Sequence, residues 1–443
     1  MTIKCPAWLI IIISCCCLLS LSSIAQQKSD NYTAAWKKVD SLVIKGLAKS
    51  AQEQVNLIYT RARREKNEPQ IIKALIYRTG LQENTQDNGI VTSIKDLEKE
   101  IQDAAQPARS ILQSILANKY WTYLQQHRYQ LYGRTATKDF KKEDIDTWGP
   151  EDLHKTIDEL FMASLQNEKL LIATRLDTYD AILIKGNVRA LRPTLFDLLA
   201  NNALDYFETD ERDLNRPAYA FEIDDRAAFA DAGVFAQHRF KTSDSLSMHY
   251  RALLLQQRLI ALHLDDSKPD ALLDIDLRRL RFVHAYSTIE NKDEQYMRTL
   301  QRITAHWGQL SAASEAWFLQ AEQYANDAAS YDPIKDTAGH YGYVKAKEIC
   351  DKVVAQKDSS EGKVHCLQLL NQIKEKSLSL LIENVNMPGE PMRVLVTWRN
   401  VPWLYGRIVR VDRNAAGIIH EMYQEGWIFN VLQNDTGFRW QVW

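Results

Sequence analysis

The sequence has no surplus of positive charge. Lys and Arg together number 55 against 57 for Asp and Glu, which gives a formal net charge of −2. Proteins that bind DNA or RNA carry a cationic surface that neutralises phosphates, so we expect no nucleic-acid partner. With 45% hydrophobic and 25% charged residues, the composition is that of an ordinary globular protein rather than a disordered or multi-pass membrane protein.

The common catalytic and nucleotide-binding motifs are also missing. The sequence has no G-x-x-x-x-G-K-[ST], G-x-G-x-x-G, H-E-x-x-H or G-x-S-x-G segment. The stretch HEMYQ at His420 begins like a zinc motif, but no second His follows four residues later. The ten histidines are scattered singly, and we interpret them as packing or surface residues.

Two carboxylate pairs are the closest approach to a catalytic or metal-binding cluster. They are Asp224 with Asp225 and Asp274 with Asp276. Neither is followed by a glycine-bearing loop with ligands at alternate positions, as calcium sites require. We interpret both pairs as helix caps or solvated faces. The sequence therefore predicts a protein that is not an enzyme, with no catalytic, cofactor-binding or metal-binding residue and no cofactor.

Residues 1–25 are predicted to form a secretory signal peptide. A basic residue precedes an apolar run, and Ser23 and Ala25 place small residues three and one positions before Gln26. Cleavage between Ala25 and Gln26 predicts an exported protein of the periplasm or cell surface. Two alternatives remain open: an uncleaved anchor, because the apolar run approaches the length that spans a bilayer, and lipidation at Cys15.

Cysteine is scarce outside that segment. Four of the six lie in it, and Cys350 and Cys366 are the remaining two. An oxidising compartment makes this pair a disulfide candidate. If a turn near Asp358 joins two antiparallel helices, each Cys lies eight residues from the turn, about 12 Å along its helix, and the two are level with each other. The alternative is a pair of buried free thiols that pack as small apolar residues.

Apolar residues recur at helical spacing from about residue 31 to residue 380. Trp36, Val39, Leu42 and Val43 form the first such stripe, and similar short stripes follow, separated by turn residues. The region 26–385 is therefore predicted as one mainly α domain, an array of antiparallel helical hairpins.

The end of this region narrows the prediction to a tetratricopeptide-like repeat. Small residues alternate with aromatic ones there, at Ala313, Ala316, Ala321, Ala325 and Ala346 beside Trp317, Tyr324 and Tyr343. Small residues let neighbouring helix backbones approach closely, as stacked helical repeats require. The repeat length of 34 residues that defines the tetratricopeptide family is not repeated cleanly.

The periodicity changes from helical to alternating near residue 386. Val394, Val396 and Trp398 are predicted to share one strand face, and further predicted strands lie at 403–412, 427–432 and 438–442. Residues 386–443 are therefore predicted as an incomplete antiparallel β-sandwich, since a complete one needs roughly 100 residues in two sheets.

Three stretches resemble the N-terminal region of the large α2-macroglobulin-like proteins of Bacteroidetes-type bacteria. They are LRPTLFDLLANNALDYF from Leu191, DIDLRRLRFV from Asp274 and SSEGKVHCLQLLNQIKEKSLSLLIENVNMPGEPMRVLVTWRNVPWLYGRIVRV from Ser359. In that family a long helical region leads into a series of macroglobulin β-sandwich domains. The resemblance implies an exported protease-trapping protein of which this chain is the front part.

The resemblance carries over no functional residue. Family members with a thioester use a Gly-Cys-x-Glu-Gln stretch, and neither Cys350 nor Cys366 lies in one. We expect protein partners, including proteases through a longer protein, and membrane contact only through residues 1–25. The alternative is a self-contained tetratricopeptide-like scaffold of the cell envelope.

Overall fold

The computed structural model of the chain describes residues 32–132, 144–184, 189–212, 219–244, 246–332, 339–357, 359–382, 387, 389, 391, 393–406 and 438–441. The predicted signal peptide with its cleavage site at Ala25 and Gln26 lies outside these residues, as do the predicted strand 427–432 and His420. The described part is mainly α-helical, with short antiparallel β-structure near the C-terminus. The predicted fold class is confirmed at this level.

The helices and strands follow one another in a simple order. The helices are α1 (32–44), α2 (Ala48–Glu65), α3 (Glu68–Thr85), α4 (Gly89–Asp103), α5 (Ala108–Tyr132), α6 (Pro150–Ser164), α7 (Glu168–Ala173), α8 (Leu195–Phe207), α9 (Ala232–Gln237), α10 (Met248–His263), α11 (Asp270–Tyr286), α12 (Lys292–Trp307), α13 (Ser314–Ala329), α14 (Gly342–Val354) and α15 (Glu361–Lys374). Short 3₁₀ helices cover Ile145–Thr147, Leu176–Tyr179, Arg189–Leu191, Arg226–Phe229 and Ser311–Ala313. The strands are β1 (Ser377–Ile382), β2 (Val394–Arg399), β3 (Trp403–Gly406) and β4 (Phe438–Gln441). None of the helices in the described ranges has both the length and the apolar character needed to cross a bilayer.

The chain divides into two compact units, the first ending at Trp307 and the second beginning at Gly308. This division differs from the predicted domains 26–385 and 386–443, because α13, α14 and α15 group with the strands instead of with the earlier helices. Helical periodicity identifies the helices but carries no information on which of them pack together.

Helices α1, α2 and α3 show how local sequence sets the fold of the first unit. Trp36 and Val39 of α1 are buried against Val55 and Ile58 of α2, as their spacing predicts. Asn67 ends the turn before α3 by accepting a hydrogen bond from the backbone of Gln70, the usual role of an N-cap residue. Helices α1, α2 and α3 therefore pack together through shared apolar faces.

Val43 departs from the predicted stripe. Its side chain is 44% exposed, whereas Leu42 packs against the buried cluster. The helix ends one residue later, at 44, so the last positions of the stripe extend past the partner helix.

The second unit is held together by close backbone contacts. A Cβ atom on Gly342 of α14 would collide with the carbonyl oxygen of Tyr324, and one on Gly362 of α15 would collide with the backbone of Ser314 and Glu315. Ala321 and Ala346 are fully buried in the same cluster. The small residues between 311 and 380 therefore lie at helix contacts, as predicted.

Strand β1 corrects the predicted start of the β-region. It begins at Ser377, inside the range assigned to helix, so the change to extended structure comes before residue 386. The alternation of Ser and Leu from Ser377 is short, and because leucine favours helices the segment resembles a continuation of α15.

The hairpin of β1 and β2, called here the β-ribbon, has one entirely apolar face. Leu378 lies opposite Trp398, and the next two pairs on that face are Leu380 with Val396 and Ile382 with Val394. The predicted grouping of Val394, Val396 and Trp398 agrees with this register. Most of these side chains are exposed, so nothing in the described part of the chain covers this face fully. Strands β3 and β4 form a second antiparallel pair.

A candidate binding groove in the second unit

The second unit has a groove of about 310 Å³ between α13 and α15. Helix α13 contributes Phe318, Glu322 and Asn326, and α15 contributes His365, Gln368 and Gln372. Tyr343 of α14 and Arg399 of β2 also line the groove. Consecutive residues of each set are three or four positions apart, which places them on one face of the helix.

The end of β2 is fixed against the end of α15. Arg399 donates hydrogen bonds to the carbonyl oxygens of Gln372 (3.0 Å) and Glu375 (3.4 Å). Asn400, whose backbone is left-handed with φ of 55°, donates to the carbonyl oxygens of Ile373 (2.6 Å) and Glu375 (3.0 Å). The last carbonyls of a helix have no partner within the helix. Arg399 and Asn400 therefore cap α15 and hold the β-ribbon at that end of the groove.

Side-chain amides dominate the polar part of the groove. Asn326, Gln368 and Gln372 are exposed, and none of the described hydrogen bonds engages their amide groups. Each amide offers both donors and acceptors. Phe318 and Tyr343 supply apolar surface beside them.

The charged residues of the groove are mostly paired. Nδ1 of His365 lies 2.8 Å from Oε2 of Glu315, a distance at which an imidazole N–H donates to a carboxylate. The guanidinium of Arg399 lies 3.5 Å from the Glu375 carboxylate in an exposed, weak ion pair. Glu322 adds one half-buried negative charge. This arrangement suits recognition of a polar chain by hydrogen bonds better than recognition of a single ion.

The predicted disulfide candidates lie beneath this groove. Cys350 and Cys366 are fully buried in one cluster with Ala325 and Leu369, which also line the groove. The thiols are free, and they are close enough to share a hydrogen bond. That hydrogen bond, together with burial, raises the pKa of the Cys366 thiol. The two cysteines thus meet across α14 and α15, and their disulfide stays a prediction.

The first unit contains a buried histidine between two carboxylates. Nε2 of His263 lies 2.8 Å from Oδ1 of Asp197, and Nδ1 lies 2.7 Å from Oδ2 of Asp266. Burial by itself would lower the pKa of His263, but the hydrogen bonds and charges of Asp197 and Asp266 outweigh it and raise the pKa above its ordinary value of 6.5. The contact joins α8 to α10. Thr194 and Asp197 also form a reciprocal cap at the start of α8.

A second buried histidine has the opposite behaviour. Nδ1 of His154 lies 2.7 Å from the hydroxyl of Tyr206. Burial, and to a smaller degree the charge of Arg212, lowers the pKa of His154 to about 4. Both histidines were interpreted from the sequence as packing or surface residues, and both are packing residues. Tyr206 and Asp197 come from distant helices, so spacing gives no signal of those two pairs, whereas Asp266 follows His263 by three positions.

The predicted carboxylate pairs have separate roles. Asp225 accepts a hydrogen bond from the backbone of Ala227 at 2.8 Å and caps a 3₁₀ helix, as predicted. Asp276 is buried, so its interpretation as a solvated residue is wrong. It lies 2.6 Å from Nη2 of Arg279, whose side chain is completely buried.

Arg279 binds the segment before α9 to α11. Its Nη1 donates to the carbonyl oxygens of Ala228 (2.6 Å) and Ala230 (3.0 Å), and its guanidinium lies 4.5 Å from the centre of the Phe235 ring. Burial raises the pKa of Asp276, and the charge of Arg279 opposes that rise. The sequence places Arg279 three residues after Asp276, which permits the pair, but only the tertiary contacts make it buried.

Among the described residues, no group of three or more His, Cys, Asp or Glu side chains is arranged to hold a metal ion. Comparisons of the chain with protein-family models, curated proteins and solved structures gave no match.

Proposed function

We propose that this chain is a non-catalytic, exported protein-binding protein whose helical hairpins form a scaffold and whose α13–α15 groove binds an extended segment of a partner protein. The observation that carries the proposal is the row of side-chain amides in the groove. Asn326, Gln368 and Gln372 are exposed there without a described partner. The buried histidines support a non-catalytic role, because their polar atoms tie helices together away from solvent.

The dimensions of the groove fit a short extended peptide. From Phe318 to Ala329 the lining of α13 covers eleven residue steps, about 16 Å of helix. An extended chain rises about 3.3 Å per residue, so roughly five residues fit. Such a peptide presents unpaired backbone N–H and C=O groups, which the Asn and Gln amides can satisfy in either direction.

A binding experiment with one matched control tests the groove. A fluorescent peptide of about ten residues is selected by display on the purified protein, and its dissociation constant is measured by anisotropy. The double variant Gln368→Ala/Gln372→Ala is expected to weaken binding about tenfold, since each hydrogen bond contributes roughly 0.5–1.5 kcal/mol. Asn371→Ala removes an exposed amide of α15 that does not line the groove, and should leave the constant unchanged.

Equal weakening by the Asn371 variant would contradict binding in the groove. So would a selected peptide whose affinity the double variant leaves intact. Circular dichroism of all variants checks that α15 is still folded.

The scaffold itself is proposed to be a tetratricopeptide-like helical repeat. The support is the packing of α13, α14 and α15, where Gly342 and Gly362 permit backbone contact between antiparallel helices. Stacked repeats bury a continuous core in this way and leave a concave binding surface.

For the whole protein we propose the role implied by its resemblance, the front part of an α2-macroglobulin-like protease trap. The support is the β-ribbon, whose apolar face carries six large side chains and needs a second β-layer to remove them from water. A trap encloses an active protease, so a small peptide substrate is still hydrolysed while a large protein inhibitor is excluded. Incubating the protein with a broad-specificity endopeptidase and measuring both reactions tests this role.

Full inhibition by the large inhibitor would contradict trapping and favour the alternative, a self-contained cell-envelope scaffold. The peptide-binding test is independent of this result, because the groove is part of the chain whether it acts in a protease trap or as a self-contained scaffold.

A further inference from the structure

The turn between α1 and α2, defined here as the α1–α2 tip (residues 43–49), is a hydrogen-bonded turn with an apolar surface. The N–H of Gly46 donates to the carbonyl of Val43 and the N–H of Leu47 donates to that of Leu42, both at 2.9 Å. Gly46 is left-handed with φ of 71°. These are the two hydrogen bonds of a Schellman cap. The cap fixes the directions of the side chains around it.

Three large apolar side chains of the tip are directed into solvent. Ile44 is 85% exposed, Leu47 is 49% exposed and Val43 is 44% exposed. Isolated exposed apolar residues are common on protein surfaces, but a contiguous group commonly marks a contact site.

Two lysines lie within the tip and two lie on α1 before it, while Glu53 of α2 lines the same hollow as Leu47. Lys37, Lys38, Lys45 and Lys49 are all exposed, and Asp40 is the only acidic residue between 37 and 49, which leaves an excess of three positive charges in a chain whose formal net charge is −2. The hydroxyl of Tyr77 donates to Asp40 at 2.8 Å. On helix α1, Lys37 and Ile44 lie on one side, since positions seven apart share a face.

Neighbouring turns of the same helical array are polar. Lys66 and Asn67 join α2 to α3, and Gln86, Asp87 and Asn88 join α3 to α4. A Schellman cap does not require apolar residues at 43 and 44, because those positions face solvent here. Val43 and Ile44 are therefore not explained by the fold of the turn, whereas an apolar residue at Leu47, which follows the left-handed Gly46, commonly accompanies such a cap.

We propose that the α1–α2 tip docks on an anionic lipid bilayer, with Ile44, Val43 and Leu47 entering the interface and the lysines contacting lipid phosphates. Apolar side chains flanked by lysines are the combination that interfacial protein segments use. Each lysine near an anionic surface adds about 1 kcal/mol to binding. This contact is additional to any that residues 1–25 make.

Lysine footprinting on the full chain tests the proposal. The protein is mixed with vesicles of phosphatidylglycerol and phosphatidylcholine, or of phosphatidylcholine alone, and briefly acetylated. Mass spectrometry then compares acetylation of Lys45 and Lys49 with that of Lys99, an exposed residue of α4 that serves as an internal reference. Protection of Lys45 and Lys49 relative to Lys99 is expected only with the anionic vesicles.

Variants separate the tip from other membrane contacts. Ile44→Gln/Leu47→Gln should abolish the protection. Leu57→Gln changes an equally exposed apolar residue of α2 outside the tip and should preserve it. Lys45→Gln should raise the lipid concentration that half-protects Lys49 about fivefold, the equivalent of one lysine.

Unchanged acetylation of Lys45 and Lys49 on anionic vesicles would overturn the proposal, even if residues 1–25 hold the chain on the membrane. Protection that appears without vesicles and increases with protein concentration would also overturn it, because the tip would then contact a second copy of the chain.

Discussion

The two units of the chain stabilise their helices in different ways. In the first unit, charged groups are taken into the interior: His263 pairs with Asp197, and Arg279 pairs with Asp276, with all four side chains buried. In the second unit, the described ion pairs are at least partly exposed, and the interior contacts are made by Gly362 and other small residues.

The difference predicts which perturbation each unit tolerates. Buried ion pairs lose stability when one partner is removed or its protonation changes. Close helix contacts are insensitive to pH but sensitive to one added methyl group. The second unit also exposes its apolar β-ribbon and its groove, so it keeps the surfaces that a partner could bind.

The largest expected effect is the loss of the buried arginine. Arg279→Met leaves Asp276 and two carbonyl oxygens without their donor, and should lower the free energy of unfolding by about 3–5 kcal/mol. Arg302→Met removes an exposed pair with Asp231 and should cost about 1 kcal/mol or less. Urea denaturation followed by circular dichroism measures both. Similar losses for the two variants would remove the distinction between buried and exposed pairs.

Oxidation of the cysteine pair should stabilise the second unit. A disulfide between Cys350 and Cys366 closes a loop of roughly 15 residues and should add about 3 kcal/mol to the free energy of unfolding. The protein is compared before and after treatment with glutathione disulfide, with mass spectrometry counting the remaining thiols. The Cys350→Ser/Cys366→Ser variant is the control. Its free energy of unfolding should change neither with glutathione disulfide nor with a thiol reductant. Two thiols that remain free after treatment, or after export, would refute the disulfide.

One methyl group should have opposite effects at a glycine in a helix contact of the second unit and at an open glycine of the first. Gly362→Ala places a Cβ against the backbone of Ser314 and Glu315, and should cost about 1–3 kcal/mol because neither helix can yield locally. Gly80→Ala in α3 meets no atom within 4 Å, and should stabilise by up to about 1 kcal/mol through helix propensity. The melting temperatures of both variants, compared with that of the unchanged protein, measure these two effects. A neutral Gly362 variant would show that α13 and α15 can separate without loss.

The most gradual effects are pH dependences, which are expected for the buried histidines of the first unit. The pKa of His263 is raised above 6.5 in the folded protein, so its stabilising contribution is complete below pH 6.5 and is lost as the pH rises through the raised pKa. The pKa of His154 is lowered to about 4, so it costs stability as the pH falls from about 6.5 towards 4.

Substitution of each histidine should change the pH profile in opposite directions. His263→Gln should remove a decline in stability above pH 6.5, and His154→Gln should remove a decline below it. Each slope is at most about 1.4 kcal/mol per pH unit. Denaturant midpoints measured from pH 4 to pH 9 test this, with His365→Gln in the second unit as a control with a half-exposed histidine. Identical profiles for all three variants would contradict the proposed contrast.

The sequence predicted the features that depend on neighbours along the chain. Helical periodicity located buried Trp36 and Val39, and alternation located the shared face of Val394, Val396 and Trp398. The small residues at Ala321 and Ala346 correctly indicated close helix contacts. Strand β1 was missed because serine and leucine alternate over too few residues to outweigh the helix propensity of leucine.

The candidate groove could not be predicted in the same way. Asn326 and Gln368 are ordinary surface residues in the sequence, and they share a groove only because α13 and α15 pack side by side. Arg399 reaches that groove because β2 returns to cap α15.

The sequence by itself determined that the chain is mainly helical, that it ends in short antiparallel strands, and that Cys350 and Cys366 are placed to meet across a hairpin. Those features follow from the spacing of residues along the chain. The geometry of a helix or a strand fixes which side chains share a face and which positions of two antiparallel helices lie side by side. Only the tertiary structure decided the division after Trp307, the burial of Arg279 with Asp276, and the exposure of the α1–α2 tip. These depend on which helices come together, and the free energy of packing between distant segments sets that choice.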